Sequence, residues 1–405
     1  MRILVVHQNF PGQFGYFVRE WAKRPGWDVR GIGRDSAPGI HEFEKLTRYS
    51  VTRGVRDDQH RYLRPIEAST LHGQAAARAM VKLKASGFVP DVIVAHPGWG
   101  ETLFAKDVFP QTRLVHFCEW YYQADGADLG FDAEFPLTFD DRARIRLLNA
   151  QHSLDLIQCD GAVSPTHWQR SRFPEILQPK ILVQHEGIDA AGLAPDPLAS
   201  LQTPSGQVLN AGDPVITYVA RNLEPYRGFH VFMRGLEQAQ RLHPRCHAVI
   251  VGGDDVSYGR RPRDAKNWRE KMLAEVMLDP SRTHFLGRVS RAQYLKVLQV
   301  SAAHVYLSYP FVLSWSLLEA MACGARIIAS DTAAVREVVT HQVNGTLVPF
   351  FESSMLAGSL LSAMEDAGKN LPRSLAQEQR SRARQDAGAF SQVAGLAGYD
   401  RLIAV

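Results

Sequence analysis

The sequence has few cysteines and no long apolar stretch. Only four of its 405 residues are cysteines, and they are far apart, with no C-x-x-C pair: Cys118, Cys159, Cys246 and Cys323. This spacing argues against a disulfide framework and a zinc site, so we expect buried free thiols. No apolar run approaches the ~20 residues that a membrane-spanning helix needs. The opening segment MRILVVHQNF lacks a signal peptide's long apolar core, so we expect a cytoplasmic protein.

Motifs of cofactor, metal and nucleic-acid chemistry are also missing. The first strand-to-helix turn, HQNFPGQFG, has Gly12 and Gly15 but no dinucleotide-binding G-x-G-x-x-G. Gly12 can still let backbone approach a ligand, although a plain turn explains it equally well. There is no evident D-x-D metal motif, and the aromatic-plus-basic and helix-turn-helix patterns of nucleic-acid binding are absent. We therefore expect no cofactor, no metal and no nucleic-acid partner.

Positive charge is concentrated near the N-terminus. The chain has 46 Lys and Arg against 42 Asp and Glu, a net charge of +4. Residues 1–90 contain 15 Lys and Arg and 8 Asp and Glu, a net of +7, so the remainder carries −3. A basic N-terminal third is typical of proteins that meet an anionic lipid surface or an anionic substrate. An arginine-rich solvated surface explains the same composition.

Short β-type runs alternate with helical patterns along most of the chain. In the first half, strands are predicted at RILVVHQ, WDVRGIG, DVIVAHP, RLVHFCEW, GAVSP and KILVQHEG, with helices between most of them. The alternation resumes at VITYVAR and ends in helical segments from about residue 353. Apolar strands separated by helices predict the α/β class, with parallel sheets covered on both faces.

Residues 195–214 interrupt this alternation. The segment PDPLASLQTPSGQVLNAGDP is rich in Pro, Gly, Ser and Asn and has no period, as is typical of a linker. We therefore predict two doubly wound domains, with a boundary at residues 200 and 201. Ligands of such sheets bind outside the carboxyl ends of the strands, so an interdomain cleft is the expected site.

Two arginines flank a turn in YVARNLEPYRGF, residues 218–229. Arg221 ends a predicted strand, and Arg227 precedes a helix. Guanidinium groups beside a helix N-terminus suit a phosphate, because they stay charged and donate in a fixed fork. Two solvated arginines, with Arg227 paired to Glu224, are an equally good interpretation.

Three acid–base residues are further candidates. Glu319 lies near the start of the otherwise apolar helix SWSLLEAMACG, where it could accept hydrogen bonds from the vicinal hydroxyls of a ribose, or simply favour the helix dipole. His96 ends a predicted strand in AHPGWGE, and Glu119 ends the next one in HFCEWYY. Neighbouring strand ends could bring these two side chains together for proton transfer, although a lone histidine is usually structural.

Together these segments resemble the retaining glycosyltransferases of family 4, whose GT-B fold has two Rossmann-like domains facing a cleft. The similarity rests on RNLEPYRG, VIVGG, HFLGRV, SLLEAMACGARIIAS and REVVTHQVNGTLVPF, and more loosely on DVIVAHP, DGAVSPTHW and ILVQHEGID. It covers nearly the whole chain. The resemblance implies that residues 1–200 form an acceptor domain, 201–385 a nucleotide-sugar donor domain, and 386–405 a helix packing back on the N-terminal domain.

The resemblance also implies individual roles. Arg221 and Arg227 match the family's diphosphate contacts, with arginine at 227 where the family usually has lysine. Glu319 matches the glutamate that binds the ribose hydroxyls. The other implied donor positions are Gly12 near the phosphates, Val289 at the base, and Leu313 and Ser314 in the loop that opens the helix. Either His96 or Glu119 corresponds to the family's N-domain histidine.

One departure from the family concerns the sugar. The family usually has two glutamates eight positions apart, in E-G-F-G-L-x-x-x-E, and the first contacts the donor sugar. Eight positions before Glu319 the sequence has Phe311, and the glycine positions hold Val312 and Ser314. The sugar side of the site should therefore differ from that of its relatives.

The expected function is transfer of a sugar, with retention, from a UDP- or GDP-type donor to a hydroxyl acceptor, without a metal. The family implies synthesis of a bacterial surface polysaccharide, glycolipid or glycoside. From the basic N-terminal third we also expect peripheral contact with the inner face of the membrane. The alternatives are a non-catalytic nucleotide-sugar-binding protein and a nucleotide-sugar 2-epimerase of the same fold.

Overall fold

Two units, each with its own parallel sheet, make up the chain. The computed structural model describes residues 1–125, 127–367 and 375–404. The first unit comprises Met1–Gly187 together with the C-terminal segment from Gln392, and the second comprises Ile188–Ser391.

The first unit is built on seven parallel strands in the order β3-β2-β1-β4-β5-β6-β7. The strands are β1 (Arg2–Val6), β2 (Asp28–Arg34), β3 (Leu46–Tyr49), β4 (Val92–Ala95), β5 (Arg113–Phe117), β6 (Gly161–Ser164) and β7 (Ile181–Val183). The helices between them are α1 (Gly15–Ala22), α2 (Arg64–Ala85), α3 (Ala105–Val108), α4 (Phe139–Gln158) and α5 (His167–Ser171). Short 3₁₀ turns at Gly12–Phe14 and Gln178–Lys180 precede α1 and β7.

Apolar residues on both faces of these strands explain why helices cover both faces of the sheet. Along β1, Ile3 and Val5 belong to one buried cluster, and Leu4 and Val6 belong to another. Successive side chains of a strand point to opposite faces, so a continuous apolar run requires helices on both sides.

The second unit repeats this plan with six parallel strands in the order β12-β11-β10-β13-β14-β15. Its strands begin with the pair β8 (Ser200–Gln202) and β9 (Val208–Asn210), followed by β10 (Val215–Asn222), β11 (His247–Gly253), β12 (Thr283–Gly287), β13 (Ala303–Tyr306), β14 (Ile327–Ser330) and β15 (Thr346–Val348). Its helices are α6 (Phe229–Leu242), α7 (Trp268–Glu275), α8 (Arg291–Gln299), α9 (Trp315–Ala322), α10 (Ala333–Arg336), α11 (Ser353–Asp366) and α12 (Leu375–Gly388). A 3₁₀ turn, Pro225–Arg227, leads into α6.

The predicted linker at residues 195–214 is wrong. Strands β8 and β9 pair antiparallel within it, and Leu201 and Leu209 are buried in a cluster with Val215 and Val249. The segment is therefore part of the second unit, and the division falls between Gly187 and Ile188 instead of at residue 200. The hairpin strands have only three residues each, too short for a periodic pattern to stand out from the turn residues around them.

A last helix, α13 (Gln392–Ile403), belongs to the first unit. Its Tyr399 is fully buried, with its ring centroid 4.5 Å from that of Phe17. Its Asp400 accepts hydrogen bonds from Trp21 Nε1 at 2.9 Å and from both terminal nitrogens of Arg24. The predicted C-terminal segment began at residue 386, but α12 extends to Gly388 within the second unit, and residue 405 lies outside the described residues.

Two expectations from composition can be compared with the structure. All four cysteines are free and buried, which confirms the prediction for them. Among the helices that the structure describes, none combines the length and apolar character required of a membrane span.

Candidate active site

A pocket of about 280 Å³ lies at the switch point of the second sheet. From β10 the chain winds to β11 and β12 on one side and then returns to β13 on the other, which leaves a crevice at the carboxyl ends of β10 and β13. The residues that line it are Tyr218, Val219, Ala220, Arg221, Asn222, Glu224, Arg227, Tyr258, Tyr294, Tyr306, Leu307, Ser314, Trp315, Ser316 and Glu319. Four predicted donor-binding residues therefore meet in one place.

Arg221 supplies an exposed cation to this pocket. It lies at the end of β10, where pairing with β11 is irregular between Val219 and Asn222. Within the described residues its guanidinium has neither an ion pair nor a hydrogen bond. An arginine with this freedom can bind an anion without first breaking a protein contact.

Arg227 is buried and shapes the loop before α9. Its Nη1 donates to Ser308 Oγ at 2.8 Å, to the Val312 carbonyl at 3.1 Å and to Tyr306 Oη at 3.2 Å. No carboxylate in the described part of the chain pairs with it, and Glu224 is instead bonded to the backbone of residues 257–259. The guanidinium thus holds the pocket wall and brings a buried, uncompensated positive charge to it.

The turn that places Arg227 depends on Gly228. This residue has φ +65°, and a Cβ atom there would lie 2.3 Å from Leu307 Cβ. Only glycine fits both the left-handed conformation and the close approach to Leu307, which follows β13. Gly228 therefore allows α6 to begin next to Leu307, which lines the pocket.

Glu319 lies on α9 and is almost fully buried. Its Oε1 accepts a 2.7 Å hydrogen bond from Arg291 Nη1, and its Oε2 accepts one of 2.6 Å from Tyr294 Oη. A carboxylate offers about four acceptor sites, so two remain for ligand hydroxyl groups. Glu319 was predicted from its place near the start of an apolar helix, whereas Arg291 and Tyr294 were not predicted, because no local motif marks them.

The loop before α9 is fixed by its own hydrogen bonds. Ser314 caps the helix by accepting from the Ser316 amide, and its own amide donates to Tyr306 Oη at 2.9 Å. Ser314 lines the pocket, whereas the Leu313 side chain is buried in the apolar core. Phe311 is also buried and does not line the pocket.

A second pocket of about 610 Å³ adjoins the first. The two share Ala220, Arg221 and Tyr294, and the predicted base-contact residue Val289 lines the second pocket. Its other lining residues are Val251, Gly252, Arg288 and Arg291. The two pockets together form a continuous groove along the strand ends of this unit.

The first unit has a histidine pair at its own switch point. His7 follows β1 and His96 follows β4, and their ring centroids lie 5.4 Å apart. Burial, and then the neighbouring His96, lowers the pKa of His7 to about 3, so its ring stays neutral. The Nδ1 atom of His7 accepts from the Asn9 amide at 2.9 Å, which leaves the ring hydrogen on Nε2.

Gly12 makes room for this histidine. A Cβ atom at Gly12 would lie 2.3 Å from His7 Nε2, and the residue has φ +54°. The glycine that was predicted near the donor phosphates thus packs its backbone over the His7 ring. His7 itself was missed, although its place directly after the first strand and before Pro11–Gly12 could have marked it.

His96 and Glu119 do come together, as their neighbouring strand ends suggested. Nδ1 of His96 accepts from the Gly98 amide at 3.0 Å, so its hydrogen is on Nε2, which lies 3.4 Å from Glu119 Oε2. The His96 ring is stacked on Trp99, with centroids 4.7 Å apart. The Gly98 amide and the Trp99 ring therefore fix the orientation of the His96 ring toward Glu119.

Solved structures of other proteins have the same fold. HepE of Anabaena, solved with UDP-glucose, matches 100% of this chain and 99% of its own, with a TM-score of 0.68 at 16% identity. Sucrose-phosphate synthase from Thermosynechococcus elongatus matches 99% of this chain and 98% of its own, with a TM-score of 0.71 at 15% identity. The chain therefore has the α/β GT-B fold, which confirms the predicted fold class.

Sequence relatives define the family within this class. Residues 25–193 match the glycosyl transferase family 4 group, and residues 203–385 match the glycosyl transferases group 1. Glycogen synthase of Mycobacterium tuberculosis is 25% identical over 418 residues, 94% of this chain and 90% of its own. Phosphatidyl-myo-inositol mannosyltransferase of Mycolicibacterium smegmatis is 29% identical over 185 residues, 44% of this chain and 42% of its own. The chain belongs to glycosyltransferase family 4, and it is a glycosyltransferase.

Proposed function

We propose that the protein transfers a sugar from a nucleotide-diphosphate sugar, of UDP or GDP type, to a hydroxyl acceptor with retention of anomeric configuration. The observation that carries this proposal is the pair of arginines, Arg221 and Arg227, which line one pocket and have no carboxylate partner among the described residues. A buried guanidinium is costly unless an anion compensates it. A diphosphate between the two arginines supplies that anion.

In this proposal, each part of the donor occupies a different part of the groove. The base lies in the pocket lined by Val289, and the ribose hydroxyls donate to Glu319. The diphosphate lies by Arg221 and Arg227, beside the first turn of α9, whose dipole favours negative charge. HepE was solved with UDP-glucose, and this relationship in fold favours a donor of the same chemical type.

Bond breaking places negative charge where these arginines lie. The bond between the anomeric carbon and the diphosphate oxygen breaks, and the acceptor oxygen bonds to that carbon on the same face. The acceptor proton passes to the departing diphosphate, so the reaction is balanced without a metal or a strong protein base. Fixed positive groups directed at the developing charge lower the barrier. His96 and Glu119 of the first unit serve the acceptor, with Nε2–H of His96 as a hydrogen-bond donor.

A donor panel tests the proposal. The full chain is incubated with UDP-glucose, UDP-N-acetylglucosamine and GDP-mannose, with simple glycoside acceptors and with water. The expected result is release of a nucleoside diphosphate with one donor and an α-linked product, seen as its anomeric proton by NMR. Tight binding without turnover would instead indicate a nucleotide-sugar-binding protein. Conversion of the donor sugar at C2 would indicate an epimerase.

Peripheral membrane contact is a separate part of this proposal. Most of the basic residues in the N-terminal third form ion pairs: Arg2, Lys23, Arg24, Arg30, Arg34, Lys45, Arg53, Arg56 and Arg61. Arg78 and Lys82, which share an exposed face of α2 with Val81, have no ion pair in the described chain. This face suits an anionic bilayer at the inner membrane surface, where the acceptor would be a glycolipid or a surface-polysaccharide precursor.

Vesicle sedimentation tests this contact. Binding to phosphatidylserine vesicles should fall as salt rises, and in Arg78→Ala/Lys82→Ala, but not in the paired control Arg56→Ala. Equal binding by all three proteins, or no binding by any of them, would refute the proposed membrane contact.

A further inference from the structure

The two pockets of the donor groove have distinct ends. They meet at Ala220, Arg221 and Tyr294, beside Glu319, whereas Tyr258 and Arg227 line only the first pocket. If the nucleoside occupies the shared region, the far end of the first pocket is where the sugar must lie. Two half-exposed aromatic residues line only the first pocket: Trp315 in the first turn of α9, and Tyr258 on the loop between β11 and α7.

Tyr258 lies on a loop that a buried carboxylate holds in place. Glu224 is fully buried and accepts from the backbone amides of Ser257 at 2.9 Å, Tyr258 at 3.2 Å and Gly259 at 2.8 Å. Charge-assisted bonds to three consecutive amides restrain the loop strongly. The ring of Tyr258 is therefore presented by a fixed backbone, not by a mobile loop tip.

Aromatic side chains support the Tyr258 ring from behind. Phe311 packs against it edge to face, with centroids 4.8 Å apart and an interplanar angle of 63°. The ring centroid of Tyr226 lies 5.8 Å from that of Tyr258, and the Arg227 guanidinium lies 5.5 Å from the Tyr258 centroid. Phe311 is 3% exposed, so it contributes packing and no ligand contact. Phe311, at the position where the family usually has a sugar-binding glutamate, thus packs against an aromatic residue that lines the pocket.

Carboxylates are not available at this end of the pocket. In the described residues, the acids that line it are Glu224 and Glu319; the first holds the 257–259 amides, and the second lies beside Tyr294 at the nucleoside end. Residues 308–316, SYPFVLSWS, contain no acid at all. Sugar hydroxyls therefore meet a phenol ring there and no carboxylate.

We propose that Tyr258 is the specificity residue for the donor sugar, and that it selects a neutral hexopyranose by packing against the C–H face of its ring. The inference rests on the proposed function, since it needs a nucleotide-sugar in the groove. A pyranose with equatorial hydroxyl groups has an apolar C–H face, and these partly positive hydrogens suit the negative face of an aromatic ring. The edge-to-face packing of Phe311 fixes the orientation of the Tyr258 ring for this contact.

Calorimetry with matched ligands tests the assignment on the full chain. UDP and UDP-glucose are titrated into the wild type, Tyr258→Ala and Tyr258→Phe, with GDP and GDP-mannose as the second pair. In Tyr258→Ala, the Kd of the sugar-nucleotide should rise about 10-fold, while the Kd of the nucleoside diphosphate changes less than about 2-fold. Tyr258→Phe keeps the ring and loses only the hydroxyl group beside Arg227, so its loss with the sugar-nucleotide should be smaller than that of Tyr258→Ala. Phe311→Leu, which removes only the support, should show a smaller loss with the sugar-nucleotide alone.

The outcomes separate this inference from the proposed function. Equal loss of both ligands in Tyr258→Ala, or no loss of either, would overturn the role of Tyr258. Tighter binding of UDP-glucuronate than of UDP-glucose by the wild type would overturn the preference for a neutral sugar. Failure of the wild type to bind any nucleoside diphosphate would refute the proposed function itself, and the inference with it.

Discussion

The hydroxyl group of Tyr294 on α8 donates a 2.6 Å hydrogen bond to Oε2 of Glu319 on α9. Burial, and then the charge of Glu319, raises the pKa of Tyr294 well above its usual value, so the phenol keeps its proton and remains a donor. Arg291 holds the other oxygen of the carboxylate. Both contacts fix the direction of the lone pairs that the ribose hydroxyls would use.

Tyr294→Phe should weaken nucleotide binding without stopping the reaction. Loss of one hydrogen bond to a charged acceptor lets the Glu319 carboxylate rotate, so we expect the donor KM to rise about 3- to 10-fold. The kcat should change less than about 2-fold, because the contact lies at the ribose. Arg291→Ala should have a smaller effect, since this partner is more than half exposed. A kcat loss with an unchanged KM would contradict a positioning role.

Arg221→Ala should reduce kcat/KM by at least about 10²-fold, because a charge-assisted contact to the leaving diphosphate is lost. Steady-state release of the nucleoside diphosphate measures this. Arg261→Ala is the matched control: it removes the same charge from an exposed position of the same unit, paired with Asp255. Glu319→Ala should cause a loss similar to that of Arg221→Ala. Turnover near the wild-type value in either site variant would refute the site assignment.

Gly12→Ala should destabilise the first unit by more than the cost of placing an alanine in a left-handed backbone conformation. Gly26→Ala, at φ +76° with no atom near its would-be Cβ, isolates the backbone cost of about 1 kcal/mol. At Gly12 the added methyl group also overlaps the His7 ring, which should cost roughly 2 kcal/mol more. Thermal unfolding of both variants measures the difference. Removal of the ring in Gly12→Ala/His7→Ala should recover part of the loss, and equal losses in the two single variants would contradict the packing described for His7.

The pH dependence of stability should reveal buried Asp155. Burial, opposed by the Gln151 hydrogen bond, raises the pKa of Asp155 to about 7. The folded state therefore binds this proton more tightly than the unfolded state, and the associated stability is lost as pH rises through about 7. Relative to the wild type, Asp155→Asn should gain stability between pH 5 and pH 7, by up to about 1.4 kcal/mol per pH unit.

Thermal midpoints at pH 5, 6 and 7 measure this difference. Asp57→Asn, at an exposed position of the same unit, is the control for the substitution itself. A constant difference for Asp155→Asn would show that this carboxyl group is ionised throughout the range.

Much of the fold could be predicted because burial leaves a local pattern. Strands such as β1 and β10 are apolar on both faces, and the helices between them show helical spacing, so two parallel sheets follow from the sequence. Arg221 and Glu319 were also predictable, since each lies beside a strand end or at a helix start. Carboxyl ends of parallel strands converge on one edge of the sheet, and this geometry brings them together.

Other features depend on partners far away in the sequence. The Tyr294–Glu319 and Phe311–Tyr258 contacts join segments that no periodic pattern connects. The β8–β9 hairpin resembles a linker because its buried Leu201 and Leu209 are single residues among turn formers. His7 meets His96 because β1 pairs with β4, a strand far away in the sequence that ends directly before His96.

The most direct test is a crystal structure of the full chain with UDP or GDP, whichever binds more tightly. We expect diphosphate oxygens within hydrogen-bonding distance of Arg221, ribose hydroxyl groups that donate to Glu319, and a base beside Val289. A nucleotide bound elsewhere, or a ribose that makes no contact with Glu319, would contradict it.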